Sequence, residues 1–165
     1  ELARIAREHV ILTKPVPAWR WQVDRAGRGE ALGWGSETCN DADWPQVDPR
    51  VETWANHGLF SYYGAAWYRA RLTLPAVPAG KKVCLWVAGV DDTCAVYLNG
   101  QPIPYTGKDG KPQAEVCDYN KPLTFDLTAA LKPGANQLTL KCTRSTLNEV
   151  GTGGLLGPVL VYRER

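Results

Sequence analysis

Residues 64–100 read GAAWYRARLTLPAVPAGKKVCLWVAGVDDTCAVYLNG, and the alternation inside this stretch decides the fold. Residues 66–74 set Trp67, Arg69, Arg71 and Thr73 against Tyr68, Ala70, Leu72 and Leu74. That is the period-two pattern of a strand with unlike faces. It predicts Tyr68, in register with Leu72 and Leu74, toward a core, with Arg69 and Arg71 on the other face. Residues 82–89 are nearly all apolar, and residues 93–98 lead into Asn99-Gly100, the strongest short hairpin signal. Residues 101–105 then pair back.

Outward from this block, WRWQVD at 19–24 alternates as a strand, and the Gly-, Asp- and Pro-rich stretch 26–56 carries one short strand near Gln46. Residues 123–127, 137–144 and 158–163 complete the set. LTAALKPG at 127–134 reads as one helical turn followed by a Pro-Gly turn. No long helical period occurs, so the pattern predicts an all-β chain, an antiparallel β-sandwich or jelly roll. Residues 1–18 differ. ELARIAREHVIL suits a short amphipathic helix with Leu2, Ile5 and Val10 on one side, and TKPVP breaks it into an extended linker. The expected organisation is an N-terminal extension over 1–18 and a single sandwich domain over 19–163.

Composition narrows the function classes. The chain has 165 residues, 44% hydrophobic, without a long apolar run, so no membrane span is expected. The net charge of +2 is scattered, which gives no nucleic-acid or membrane surface. The absence of Met, position 1 included, points to an excised piece of a longer protein. Seven Trp and seven Tyr stand against two Phe. Such rings suit cores, and they also suit the apolar face and hydroxyl rim of a sugar. The five cysteines (39, 84, 94, 117 and 142) contain no CxxC pair, which argues against zinc. Cys94 alternates with Val96 and Leu98, and Cys142 with Leu138 and Leu140, so both read as small buried hydrophobes.

Antiparallel strands reverse direction, so their connections alternate between the two ends of a sandwich. Counting from 66–74 places the short turns 76–80, 99–100 and 128–134 at the bottom. The connections at 90–92, 106–121 and 145–157 fall at the top, with the segment entering residue 66. The top loops hold Trp54, Asn56, His57, Tyr62, Tyr63, Asp91, Asp92, Asp118, Tyr119, Asn148 and Glu149, with Tyr105 and Arg144 at adjoining strand ends. Long loops gathered at one end of a rigid scaffold are a common way to build a binding site. The alternative is that they pack on each other or dock onto a neighbouring domain. Cys39 and Cys117 are the two cysteines in top loops and are the expected disulfide pair.

GAAWYRARLTLP, LWVAGVDDTCAVYLNGQPI, LTFDLTAALKPGANQLTLKC and GTGGLLGPVLV, spanning 64–161, occur in the order of a known family. They resemble the sugar-binding, galactose-binding-like β-sandwich domain of glycoside hydrolase family 2 and related carbohydrate-binding modules. WRWQVD, Gly33-Trp34 and DADW at 41–44 resemble the family's start more weakly. The resemblance implies a domain that precedes a catalytic barrel, with loops 54–63 and 145–153 able to lend polar groups to the barrel's site. The chain departs from the family at Gly153-Gly154, where Leu155 follows in place of an aromatic.

Cleavage of a glycoside needs two facing carboxyl groups. Asp91, Asp92, Glu115, Asp118 and Glu149 are available, but no spacing pairs them across a cleft, and His57 lacks a Ser or Cys partner with an orienting group. The expected role is therefore non-catalytic carbohydrate binding within a larger carbohydrate-active enzyme. Its partners would be an oligosaccharide or polysaccharide and the parent's catalytic domain, in a secreted or periplasmic, bacterial-type setting. The alternative is a structural accessory domain of a family 2-like glycosidase without a ligand of its own. The expected ligand contacts are Trp54, Asn56, His57, Tyr62, Tyr63, Asp92, Tyr105, Asp118, Tyr119, Arg144, Asn148 and Glu149. No cofactor is expected. Asp91 and Asp92, with backbone carbonyls, could hold a structural calcium or simply cap turns.

Overall fold

The structure is a computed structural model and describes residues 1–118, 120–145 and 151–165. Helix α1 (Leu2–Glu8) runs into β1 (His9–Ile11), followed by β2 (Trp19–Asp24) and β3 (Gln46–Val47). A 3₁₀ turn at Trp54–His57 precedes β4 (Gly64–Leu74), β5 (Val83–Leu98) and β6 (Gln101–Ile103). Then come β7 (Tyr105–Thr106), β8 (Pro112–Gln113), β9 (Val116–Asp118), β10 (Leu123–Asp126), β11 (Gly134–Arg144) and β12 (Gly154–Glu164). The chain is an all-β antiparallel sandwich, as the alternation predicts.

Strand β5 joins the two layers. Its first half pairs antiparallel with β12, Val83 opposite Arg163 and Asp91 opposite Gly154. Its second half pairs antiparallel with β11, Thr93 opposite Thr143 and Leu98 opposite Leu138. Since β11 and β12 run in opposite directions, β5 must reverse between Asp91 and Thr93. The reversal turns on Asp92, a non-glycine residue at φ 97°. The segment 90–92, read from sequence as a connection, lies within strand β5, its pairing with β9 irregular between Val90 and Thr93, yet it still turns the chain at the expected end.

One layer is therefore β1-β12-β5-β10, and the other is β3-β2-β4-β11-β5 with β6 and β9 beyond. The register sets Gly64 beside Arg144 at the top and Leu74 beside Gly134 at the bottom. Inward-facing Tyr68, Leu72, Leu138 and Leu140 from one layer share a single buried cluster with Val83, Leu85, Val87, Val159 and Val161 from the other. Tyr68 is 3% exposed, on the core face as the alternation requires.

Both outer faces are covered. On the first layer, Ile5 of α1 packs with Cys84, Trp86, Leu160 and Tyr162. On the second, residues 25–44 lie across the sheet, pinned by the fully buried Arg69. Its guanidinium donates to Asp41 Oδ2 at 2.7 Å and to the carbonyls of Trp34 (2.5 Å) and Ser36 (3.0 Å). Trp67, buried on the same face, donates to Asp24 Oδ2 at 3.3 Å.

Candidate functional site at the top end

The top end is organised by three buried side chains. Arg144, at the end of β11, donates from Nε to Asp92 Oδ2 at 3.1 Å, and both side chains are at most 1% exposed. Its Nη1 donates to the Phe60 carbonyl at 3.2 Å and its Nη2 to the Gly151 carbonyl at 3.3 Å. The guanidinium also lies over the Trp54 ring, 5.6 Å from its centroid. A charge this deeply buried is tolerated only when it is paired and hydrogen-bonded. Here the pairing is used to hold two loops to the sandwich.

Trp54 is the second anchor. It is fully buried, and its indole N–H donates to the Tyr68 hydroxyl at 2.9 Å. The backbone N–H groups of Trp54 and Ala55 donate to the carbonyls of Gly153 (3.2 Å) and Thr152 (3.0 Å), joining loop 54–63 to the start of β12. Gly154, at φ 86°, allows this approach: a Cβ there would lie against Trp54 Nε1 and only 2.5 Å from Tyr68 Oη. Gly153-Gly154 thus makes room for Trp54.

Three expected ligand contacts are corrected by their burial. Trp54, Asp92 and Arg144 face inward and brace the loops, so they offer no surface to a sugar. Asn56 is exposed, but its carboxamide oxygen accepts from the Thr53 N–H (2.8 Å) and hydroxyl (3.0 Å), capping the 3₁₀ turn. Tyr62 is half-buried, its hydroxyl donating to the Ala65 carbonyl at 3.0 Å, and burial pushes its pKa up. Arg25 stands over the Tyr62 ring at 5.6 Å. Tyr105 lies on the flank against Phe125, ring centroids 5.6 Å apart. Because Phe125 pairs with Leu85, this is well below the top. Asp118 does reach the top, opposite Val90, and faces Lys121 at 3.9 Å. Tyr119, Asn148 and Glu149 lie outside the described residues.

Two expected rings present themselves outward. Tyr63 is 41% exposed. His57 is exposed, its ring resting on Trp21 with centroids 4.7 Å apart and its Nε2 3.9 Å from Glu52. Between them in sequence stands Phe60, 70% exposed and absent from the expected contacts. Its only sequence signal was rarity, as one of two Phe, in a loop without periodicity. The loop thus shows three rings to solvent on a backbone held rigidly from below.

The carboxylates of Asp91 and Asp92 are both engaged by protein groups. Asp91 Oδ2 already accepts from the Gly153 N–H (2.7 Å) and the Thr152 hydroxyl (3.2 Å), and Asp92 is paired with a guanidinium. The expected Cys39–Cys117 bridge is not formed. The Cys39 carbonyl accepts from Arg69 at 3.4 Å, on the outer face over β4, while Cys117 sits on β9 opposite Thr93. The path β4-β11-β5-β9 is three strand spacings, roughly 14 Å, beyond disulfide reach.

Two open clefts flank the covering segment on the outer face of the second layer. One, of about 590 Å³, is lined by Arg20, Asn40, Gln46 and Arg71 among others. The other, of about 650 Å³, includes Glu30, Glu37, Tyr97 and Gln101. Both are of the size of small-molecule sites, the first lined more by polar surface and the second more by apolar surface.

No protein-family model matches the sequence, and no curated protein does. Solved structures do. An uncultured Clostridium sp. β-glucuronidase superposes with a TM-score of 0.72 at 16% identity, over 95% of this chain and 29% of that one. A Ruminococcus gnavus β-glucuronidase in complex with uronic deoxynojirimycin gives 0.70 at 20% identity, over 95% and 29%. A Bacteroides uniformis β-glucuronidase gives 0.66 at 18%, over 91% and 17%. At these identities the likeness establishes the fold, and this chain spans less than a third of each of those proteins.

Proposed function

We propose that this chain is a non-catalytic β-sandwich domain of a glycoside hydrolase-like protein, and that it meets saccharide through loop 54–63 at its top end. The observation that carries this is the outward set His57, Phe60 and Tyr63 on a loop fixed from below by Trp54 and Arg144. A rigid loop loses little freedom when it binds. Tyr63 and His57 each combine a ring face with a polar tip, which matches a pyranose ring and its hydroxyls. The β-glucuronidase neighbours, each matched over a fraction of its length, support a role beside a catalytic domain. The test is a glycan array with the isolated chain, followed by titration of the best ligand against Tyr63→Ala and His57→Ala. Loss of affinity in both folded variants is expected, and unchanged affinity would move the site away from this loop.

Phe60 favours a second reading. It carries no polar tip and is exposed on the same loop, which suits contact with a protein surface. In that reading the domain is an accessory without its own ligand, and the array shows no binding by the wild-type chain.

A further inference from the structure

Cys94 and Cys142 are directly opposite each other on the antiparallel pair β5–β11. Both are buried, at 1% and 0% exposure, and both face the core between the layers. Opposite positions in an antiparallel pair place Cβ atoms about 4.5–5.5 Å apart. A disulfide needs roughly 3.5–4.5 Å, so a small approach of the two strands suffices. The two thiols are near enough to act on each other: burial pushes the Cys142 pKa well up, and the neighbouring Cys94 thiol adds to it.

The register sets neither Cys84 nor Cys117 opposite another cysteine, and Cys39 lies outside the paired strands. Cys84 faces the opposite way, beside Tyr162 under α1. Cys39 lies over β4, and Cys117 is on the exposed side of β9.

We propose that Cys94 and Cys142 are a disulfide site, closed across β5 and β11 when the chain folds in the presence of a disulfide oxidant such as glutathione disulfide. The thiolate of one cysteine attacks the oxidant, forming a mixed disulfide and releasing one glutathione. The thiolate of the second cysteine attacks the protein sulfur of that mixed disulfide and releases the other glutathione. Two cysteine thiols are oxidised, one glutathione disulfide is reduced to two glutathione thiols, and the chain loses two hydrogens. The exchange belongs to folding, because in the native core neither sulfur reaches solvent and burial opposes the thiolate. The site has a structural consequence. Cys94 is two residues from Asp92 and Cys142 two from Arg144, so the cross-link lies two steps along the strands from the buried ion pair that braces the top loops, with the Thr93–Thr143 rung between.

The experiment unfolds the reduced chain, refolds it in glutathione/glutathione disulfide buffer, blocks remaining thiols with iodoacetamide and maps unreduced peptides by mass. The expected product has three blocked cysteines and one linked pair containing Cys94 and Cys142. Five blocked cysteines, or a link through Cys39, Cys84 or Cys117, would overturn the proposal. Cys142→Ala refolded in the same way is expected to give four blocked cysteines. A link through Cys94 in that variant would also overturn it, and the wild-type map decides the matter even if the variant does not fold.

Discussion

The indole N–H of Trp54 donates to the hydroxyl of Tyr68 at 2.9 Å, and through that contact the core of the sandwich holds the loop above it. The same hydroxyl also accepts from the Leu155 N–H at 3.4 Å. Tyr68→Phe keeps the ring and removes the acceptor, leaving a buried indole donor unpaired. The expected cost is about 1–3 kcal/mol of stability, read as a lower urea midpoint. Amide exchange of residues 54–59 should accelerate more than that of β11.

Arg144 tests the other anchor. Replacing it by Met leaves the Asp92 carboxylate buried without its cation, at an expected cost of about 3–5 kcal/mol. Asp92→Asn together with Arg144→Met should recover part of that loss, because no lone buried charge remains. Denaturant titrations of the two single variants and the double variant measure the coupling.

The exposed rings should behave oppositely. Phe60→Ala, Tyr63→Ala and His57→Ala each alter a residue at the surface, so stability is expected to stay within about 0.5 kcal/mol of wild type. Any change they cause in glycan affinity or in docking then reports contact rather than unfolding. Thermal melts run beside the binding titrations separate the two.

Alkaline pH gives a further test. Burial is the main cause that pushes the Tyr162 phenol up to about 12, and burial also raises Tyr68. An unfolded tyrosine titrates near 10. A raised folded value means that these phenols stabilise the fold fully below pH of about 10 and progressively less as pH climbs toward 12. Stability should fall across that window. Absorbance at the tyrosinate band should show the buried phenols ionising together with unfolding. Smooth ionisation of every tyrosine near pH 10 in a folded chain would contradict the burial.

Much of this architecture was legible from sequence because strand alternation and the Asn99-Gly100 turn are local signals. Tyr68 inward, Arg69 and Arg71 outward, and the top and bottom of the sandwich follow from counting in twos. What local pattern cannot carry is the burial of loop side chains. Trp54 and Tyr63 are both aromatic residues in an aperiodic segment, yet one is wholly enclosed and the other is not. The difference lies in Gly153 and Gly154, about a hundred residues away, which leave room for one indole. In the same way, alternation puts Arg69 on the outer face but carries no sign that Asp41, in an irregular stretch, closes over it at 2.7 Å. The Cys39–Cys117 expectation failed because it ranked cysteines by loop membership, whereas register puts Cys94 and Cys142 face to face.

The double membership of β5 bears on how this domain is made on the ribosome. Each half meets one partner early, β6 for the second half and β10 for the first, but the other edge of each waits for a strand far along the chain, β11 and β12 respectively. Closing such distant pairings late is slow, because the loop entropy is lost before the contacts form. A nascent chain stopped before residue 154 would hold out residues 83–91, VCLWVAGVD, with one ladder edge unmatched. That apolar ribbon is the part of the molecule a chaperone would have to shield, and the point at which truncated products would aggregate first.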